Sequence, residues 1–429
     1  VNNHAVVTLT FDREIPNDVN ATINNTTVTA EGGSAVLVFP IWNLNYSTEY
    51  TMTIAAGDVV DSYDNANAEA INVAVNTEAK PAVTKAAYDY VVSNATELDA
   101  ALAELKESNK TADAARKTVL LKNGTYTYGT LEGSYQYNVS LKIDNWNNVY
   151  NVSLIGESKD GVVIEGTTDG ITSSTLNLGN GTGIYVQDMT IRNNYDFPKE
   201  KRFKGVSVAV TGGNKAVLKN VAMQACQDTY VTGSRTYLED CDIYGTVDFI
   251  CGGGDIFFKE CNLILVDRGG DVIVAPNTTS DIRWGYVFQG CTVKAEEGAT
   301  SVVDKGWDLG RPWQNEPHAT FLNTTMEVLP TDNGWREMST LYTHFYEYNS
   351  MDGNGNALDL SVRGNSPTSI NTYTPVLTDA EAVKYTVENV LGGTDSWLPT
   401  EETAQTAAPA LAASAYTLSW AEVDDARCY

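Results

Sequence analysis

A six-residue phrase recurs along the middle of the chain. It consists of an apolar residue, a variable one, an Asn, Asp, Glu or Gly, a small or apolar residue, a second variable one, and an aliphatic. The phrase occurs at Val149–Leu154, Val186–Ile191, Leu218–Met223, Leu238–Ile243, Phe258–Leu263, Phe288–Val293 and Phe321–Met326. With the fourth position as register, the marks fall at 152, 189, 221, 241, 261, 291 and 324, with spacings of 37, 32, 20, 20, 30 and 33 residues. A base unit near 20 residues, lengthened here and there by surface loops, is the pattern of a parallel β-helix. Each turn of such a coil pairs its strands with those of the next turn, about 4.8 Å away. Cys241, Cys261 and Cys291 share one register position. Free cysteine behaves as a small buried hydrophobe, so these three are expected to stack in the core rather than form disulfides. The chain has no C-x-x-C pair and only three histidines, which leaves little material for a zinc site.

The flanks differ from this middle. Over residues 1–80, Val7, Leu9 and Phe11 alternate with polar neighbours, and shorter runs at Ala35–Phe39, Tyr50–Ile54 and Val73–Val75 do the same. Turn signals lie between them, at Gly32-Gly33 and from Asp58 to Asn67, and together they predict a small β-sandwich. This segment resembles the bacterial immunoglobulin-like modules that precede secreted carbohydrate enzymes, and a spacer role is expected of it. Thr77–Val83 reads as a linker, and one helix is predicted over Thr96–Glu107. The coil is expected over residues 84–399. Residues 400–429 read as an Ala/Thr-rich linker followed by Tyr416–Trp420, which looks like the start of a truncated fibronectin type III module. The fold class is therefore all-β. The chain opens at Val1 without a signal peptide, so a processed or cut chain is expected.

Net charge is −27, which argues against nucleic acid or an anionic membrane surface as partner. No apolar run approaches the roughly 20 residues that span a bilayer. There is no G-x-S-x-G elbow and no H-E-x-x-H, and neither His318 nor His344 lies near a suitable Ser or Cys motif. Asp352–Asn356 reads as a Gly/Asn turn rather than a calcium loop, because the terminal Glu is missing. Carboxylates remain. Asp228 and Asp248 lie 20 residues apart, one coil, each seven residues after a register mark. They should stand on neighbouring strands about 5 Å apart, with Arg268 at the same offset in the next coil. A stacked pair in a solvated turn would look the same. Two details favour chemistry. Thr246–Ile250 is an apolar strand where an unpaired charge is costly. Two carboxylates that close do not readily ionise together, so one is held as an acid and the other as an anion. Carboxylates about 5 Å apart also suit a retaining glycosidase.

Gln227-Asp228-Thr229-Tyr230, Gly245–Ile250 and Leu309-Gly310-Arg311-Pro312-Trp313 resemble, in order and spacing, the three signature motifs of the pectin methylesterases. The resemblance covers about residues 84–399 and implies a right-handed parallel β-helix, secreted, periplasmic or at the bacterial cell surface, and monomeric. It implies methylated homogalacturonan (pectin) as substrate and a reaction that needs no metal or organic cofactor. Asp248 would be the nucleophile, Arg311 its partner, Asp228 the acid and then base, and Gln227 the oxyanion donor. Trp313, Tyr230, Met338 and Val247 would contact sugar. In many members a second oxyanion glutamine precedes a strand that matches Lys204–Val208, which puts Lys204 at that position. Gly124–Tyr128 resembles the family's opening motif without its glutamate, and Cys251 follows Phe249-Ile250 where another residue type is usual. A pectate-lyase-like eliminase would need a calcium-binding acidic cluster. A non-catalytic carbohydrate-binding coil would not need Asp228, Asp248, Arg311 and Gln227 together.

Overall fold

The computed structural model describes residues 5–42, 44–79, 88–128, 141–142, 149–168, 170–195, 205–269, 271–279, 281–341, 343–364, 373–404, 411–414 and 417–420. Residues 5–76 form two antiparallel sheets around one core of Ile15, Leu37, Phe39, Met52 and Ile54. Ala5–Ile15 pairs with Ser34–Ile41, and the second sheet runs Thr26–Ala30, Val19–Ile23, Glu49–Ile54, Ile71–Asn76. The hairpin between Val19–Ile23 and Thr26–Ala30 was not foreseen from the sequence. It turns on Asn24 and Asn25, with φ of 50° and 61°. Asn tolerates this left-handed backbone better than most residues, and two such residues in a row suit a tight hairpin.

The rest is the predicted parallel β-helix. Its strands pair in three ladders, each with a continuous row of core side chains. One runs Leu154, Val186, Leu218, Leu238, Phe258, Phe288, Phe321. A second runs Ile164, Ile191, Met223, Ile243, Leu263, Val293, Met326. The third runs Leu176, Val208, Tyr230, Ile250, Val274, Gly310. The side chains they carry are buried and belong to one continuous core. The helix falls at Ala95–Ser108, with Asn94 capping Glu97 N–H at 3.0 Å, and buries Leu98, Leu102 and Leu105 against one end of the coil.

The phrase has a backbone cause. Its third residue joins the first ladder to the second through a bend in the left-handed region, with φ of 54° at Asp188, 51° at Asn220, 56° at Asp240, 53° at Glu260, 63° at Gly290 and 51° at Asn323. Asn, Asp and Gly are the residues that accept this conformation at least cost, which is why they mark the position. The first occurrence is corrected by the structure. Leu154, not Val149, stands beside Val186, so this coil is out of step with its phrase by five residues. Gly156 takes the position beside Asp188, where a Cβ would come within 2.0 Å of the Asp188 carbonyl oxygen. Cys241, Cys261 and Cys291 are free and fully buried, as expected.

Within residues 400–429, Thr400–Thr403 and Leu411–Ser414 are ordered where a linker was expected. Thr400–Thr403 is a helical turn that docks on the coil, with Thr403 Oγ1 donating to Glu239 at 2.8 Å and Lys219 Nζ donating to the Thr403 carbonyl at 2.5 Å. Leu411–Ser414 and Thr417–Trp420 form a short antiparallel hairpin. The expected start of the coil at residue 84 lies outside the described residues.

Stacked rings continue the first ladder. Phe288 lies between Phe258 and Phe321, with ring centroids 4.3 and 4.4 Å away and nearly parallel planes. Phe288→Ala should cost about 3–5 kcal/mol, because the neighbouring coils cannot close on the void. Urea denaturation would measure this, and a loss below about 1 kcal/mol would show that the ring ladder does not carry coil stability.

Candidate active site

The third ladder belongs to a seven-stranded parallel sheet whose later strands are Gly205–Val210, Tyr230–Thr232, Val247–Gly252, Asp271–Pro276 and Trp307–Gly310. Its outer face carries a second apolar row. Ala209, Val231, Cys251 and Ala275 stand side by side, and Trp313 and Ile171 pack on them. Inward and outward residues alternate along each strand, so Tyr230 and Ile250 face the core while Val231 and Cys251 face out.

This alternation corrects one sugar contact. Tyr230 is fully buried, set edge-on to Phe258 with ring centroids 6.2 Å apart, and cannot reach a substrate. Val231 holds the outward position in its place. Trp313 is half-buried over the outer row, and Val247 is half-buried. Met338 is 40% exposed on a segment whose Ser339 N–H donates to the Pro312 carbonyl at 3.2 Å. Cys251 lies beneath the Trp313 cluster. Lys204 lies outside the described residues.

Four of the predicted residues converge. Tyr230 pairs with Ile250, so Asp228 and Asp248 lie on adjacent coils at equal offset, and the Asp228 N–H points to the Val247 carbonyl at 3.4 Å. Both aspartates have left-handed backbones, φ 59° and 52°, and both are nearly buried. The bulge at Asp248 breaks the strand register between Val247 and Ile250. Bulges of this kind re-aim a side chain out of the pleat. Gln227 is half-buried beside Asp228, and its carbonyl accepts from Gly205 N–H at 3.0 Å. Arg311 follows the strand two coils on, and its N–H donates to the Val274 carbonyl at 2.9 Å. Its side chain reaches back over the intervening strand. Nε donates to Asp248 Oδ1 at 2.7 Å and the second amine to Oδ2 at 2.6 Å. A planar fork of this kind holds a carboxylate in one orientation. The Asp248 bond is the main cause that raises the Arg311 pKa, against the opposing effect of the guanidinium's own burial.

Arg268 is not at the offset expected of it. It lies in a turn, and Val272 stands beside Val247, because this coil is longer than the 20-residue unit. Two neighbours escaped the sequence reading. Asp308, on the strand before Arg311, is nearly buried and takes Arg336 Nε at 2.7 Å and the Thr331 hydroxyl. Arg336 lies in the same Trp335–Met338 stretch as the expected sugar contact, and that stretch was the available signal. Asp271, paired with Trp307, is fully buried on the core side, and among the described residues neither carboxyl oxygen accepts a hydrogen bond of ordinary geometry, the Gly269 N–H being its nearest donor. Burial pushes its carboxyl up to about 7, against the opposing pull of Arg268, the Gly269 N–H, Arg336 and Lys305.

The profile of the pectinesterase family matches residues 101–394. Pectinesterase A of Dickeya chrysanthemi is 31% identical over 343 residues, covering 66% of this chain and 83% of that protein. An Arabidopsis thaliana protein described as pectinesterase/pectinesterase inhibitor 26 is 28% identical over 283 residues, 62% of this chain, and the chain spans only 27% of its length. Among solved structures, a pectin methylesterase variant in complex with a hexasaccharide is 27% identical, with a TM-score of 0.54 over 73% of this chain and 100% of that one.

The buried Asp271 carboxyl predicts a pH effect. In the unfolded chain it ionises near 4, whereas the folded protein holds the proton to about 7. Its contribution is therefore intact at acid pH, is lost as pH rises from about 4 to 7, and is flat above, by at most about 4 kcal/mol. Asp271→Asn should be more stable than the parent at about pH 8, with the gap closing toward about pH 4. Thermal melts across that range would check it, and a gap independent of pH would refute it.

Proposed function

The chain belongs to the pectinesterase family, carboxylic ester hydrolases that demethylate pectin, and from that premise we propose which of its residues perform the reaction and on what. The substrate is the methyl ester at C6 of galacturonate in methylated homogalacturonan. Asp248 is the nucleophile. Its carboxylate attacks the ester carbonyl, and the carbonyl oxygen becomes an anion that accepts a hydrogen bond from the Gln227 amide. A donor of this kind lowers the barrier by about 3 kcal/mol. The tetrahedral intermediate collapses with loss of the methoxy group, which takes the proton of Asp228 and leaves as methanol. Asp228, now ionised, removes a proton from water. The resulting hydroxide cleaves the acyl bond to Asp248, freeing the uronic acid, which gives its proton to solvent, and restoring the Asp248 carboxylate and the protonated Asp228.

The observation that carries this reading is the two-point grip of Arg311 on Asp248 beside Asp228. It supplies the asymmetry that two adjacent carboxylates need. The guanidinium fixes the Asp248 carboxylate in one orientation, which suits it to attack and leaves the part of the acid to Asp228 one strand away. Trp313 and Met338 border the path of the polymer, with Val247 and Val231 beneath it. Residues 1–80 serve as a spacer outside the catalytic coil, and the enzyme acts outside the cytoplasm as a single chain.

The direct experiment is methanol release from highly methylated pectin by the parent and by Asp248→Asn, with reducing ends and unsaturated products followed in the same reactions. Methanol should appear with the parent and fall by at least about 1000-fold in the variant, with the polymer uncut. Cleavage without methanol would move the assignment to a glycosidase or a lyase. Charge gives a second expectation. Residues 1–80 hold −8 and residues 401–429 hold −4, which leaves −15 on the coil. A demethylated product is repelled more than a neutral ester, so added salt should raise the rate on low-methyl pectin more than on high-methyl pectin. Equal response of the two substrates would remove charge as a source of preference.

A further inference from the structure

Beyond Arg311, the outer sheet gains one more strand-like segment. Residues 331–339 lie along Trp307–Pro312. Thr331 N–H donates to the Trp307 carbonyl at 2.9 Å, Leu309 N–H to the Gly334 carbonyl at 2.8 Å, Arg336 N–H to the Gly310 carbonyl at 2.9 Å, and Ser339 N–H to the Pro312 carbonyl at 3.2 Å. This segment carries Arg336, pinned by Asp308, and the exposed Met338, a sugar contact in the reading above. On its other side lies an ion pair that the proposed chemistry does not use. Glu347 is fully buried and the Arg363 side chain is 4% exposed, with Nε donating to Oε2 at 2.5 Å and the Glu347 Oε1 also taking the Ser350 hydroxyl at 2.9 Å.

Arg363 does more than neutralise Glu347. Its remaining amine donates to the Asp332 carbonyl at 3.1 Å and to the Thr331 carbonyl at 3.4 Å. The neighbouring Gly364 N–H donates to the Asn333 carbonyl at 2.9 Å. Gly334 passes so close that a Cβ there would meet Arg363 Cδ at 2.7 Å, and its φ of 69° bars most other residues as well. Taking two charges out of water is expensive, and a hydrophobic pair of the same volume would often serve stability equally well. A buried pair whose guanidinium also grips two carbonyls of one loop gives directional hold that an apolar pair cannot.

We infer that the buried Glu347–Arg363 pair is a positioning device for the substrate cleft: Arg363 fixes the path of residues 331–339 and so places Met338 and Arg336 against the polymer. The inference rests on the pectin reading above. Its effect is on grip rather than on the reacting atoms, because Arg311 keeps its own hold on the Val274 carbonyl and on Asp248. Neither Glu347 nor Arg363 touches substrate.

Arg363→Lys tests this, since lysine keeps the charge beside Glu347 but cannot fork to the loop carbonyls. With highly methylated pectin, KM should rise about 10-fold while kcat stays within about 2-fold, the pattern of lost binding without lost chemistry. The double variant Glu347→Leu/Arg363→Met removes both charges and guards against a misfolded single variant, and it should show the same split with a melting temperature near the parent's. Hydrogen exchange at Gly334 and Arg336, whose N–H groups bond within and beneath the loop, should quicken by at least about 10-fold in both variants. Parent-like KM and parent-like exchange in either folded variant would overturn the inference, as would a fall in kcat at unchanged KM. A parent that releases no methanol would sink the pectin reading instead, and the exchange rates would then decide on positioning alone.

Discussion

From Asp188 to Asn323, successive coils each bend through the left-handed region at one residue between two core strands. The bend recurs at the same place in these coils, because parallel pairing holds them in register and a slip of one residue would turn the core side chains outward. Asp188, Asn220, Asp240, Glu260, Gly290 and Asn323 meet this demand in successive coils. Neighbours in the row also bond to one another. Asn220 Nδ2 donates to Asp188 Oδ1 at 2.6 Å, and Asn349 donates to Asn323 at 2.8 Å. With the bend fixed, the apolar ladders follow, and loops may vary in length only where the chain leaves the coil.

The chemistry uses the same device on another face. Asp228 and Asp248 have the left-handed backbone too, one coil apart, and they border strands that are otherwise regular. Arg311 comes from two strands beyond Asp248 and crosses the strand of Asp271 and Val272 to reach it. Asp228, Asp248 and Arg311 are thus brought together by the stacking of successive coils. Distances between them are set by strand spacing, which changes little from coil to coil. The loop of residues 331–339 is the part of the site whose position needs its own fastening, and Arg363 is placed to supply it.

Much of this was legible in the sequence, and the failures have physical causes. The repeat exposed the coil because a left-handed bend narrows the choice of residue to a few types. The same short phrase misplaced one coil, since Val149–Leu154 satisfies the pattern by composition while Leu154 is what pairs with Val186. Asp228 and Asp248 were found because their coil has the bare 20-residue length, and Arg268 was misplaced because the following one does not. Tyr230 was taken for a cleft residue because a motif does not state which way its members point; strand alternation does, and it turns the ring inward. The pairs Asp308–Arg336 and Glu347–Arg363 join residues 28 and 16 apart. Neither spacing matches the coil unit of about 20 residues, so the repeat that exposed the coil does not announce them.

The left-handed backbone at Asp228 and Asp248 also shapes how such an enzyme can change its trade over generations. At these φ values Asn and Gly are accepted almost as readily as Asp, whereas larger or β-branched residues are not. The replacements that the main chain tolerates best are therefore the ones that remove the carboxylate while keeping the coil in shape. At Asp228 that route is short, whereas at Asp248 it also leaves the Arg311 guanidinium without its partner, so the two positions are not equally free to drift.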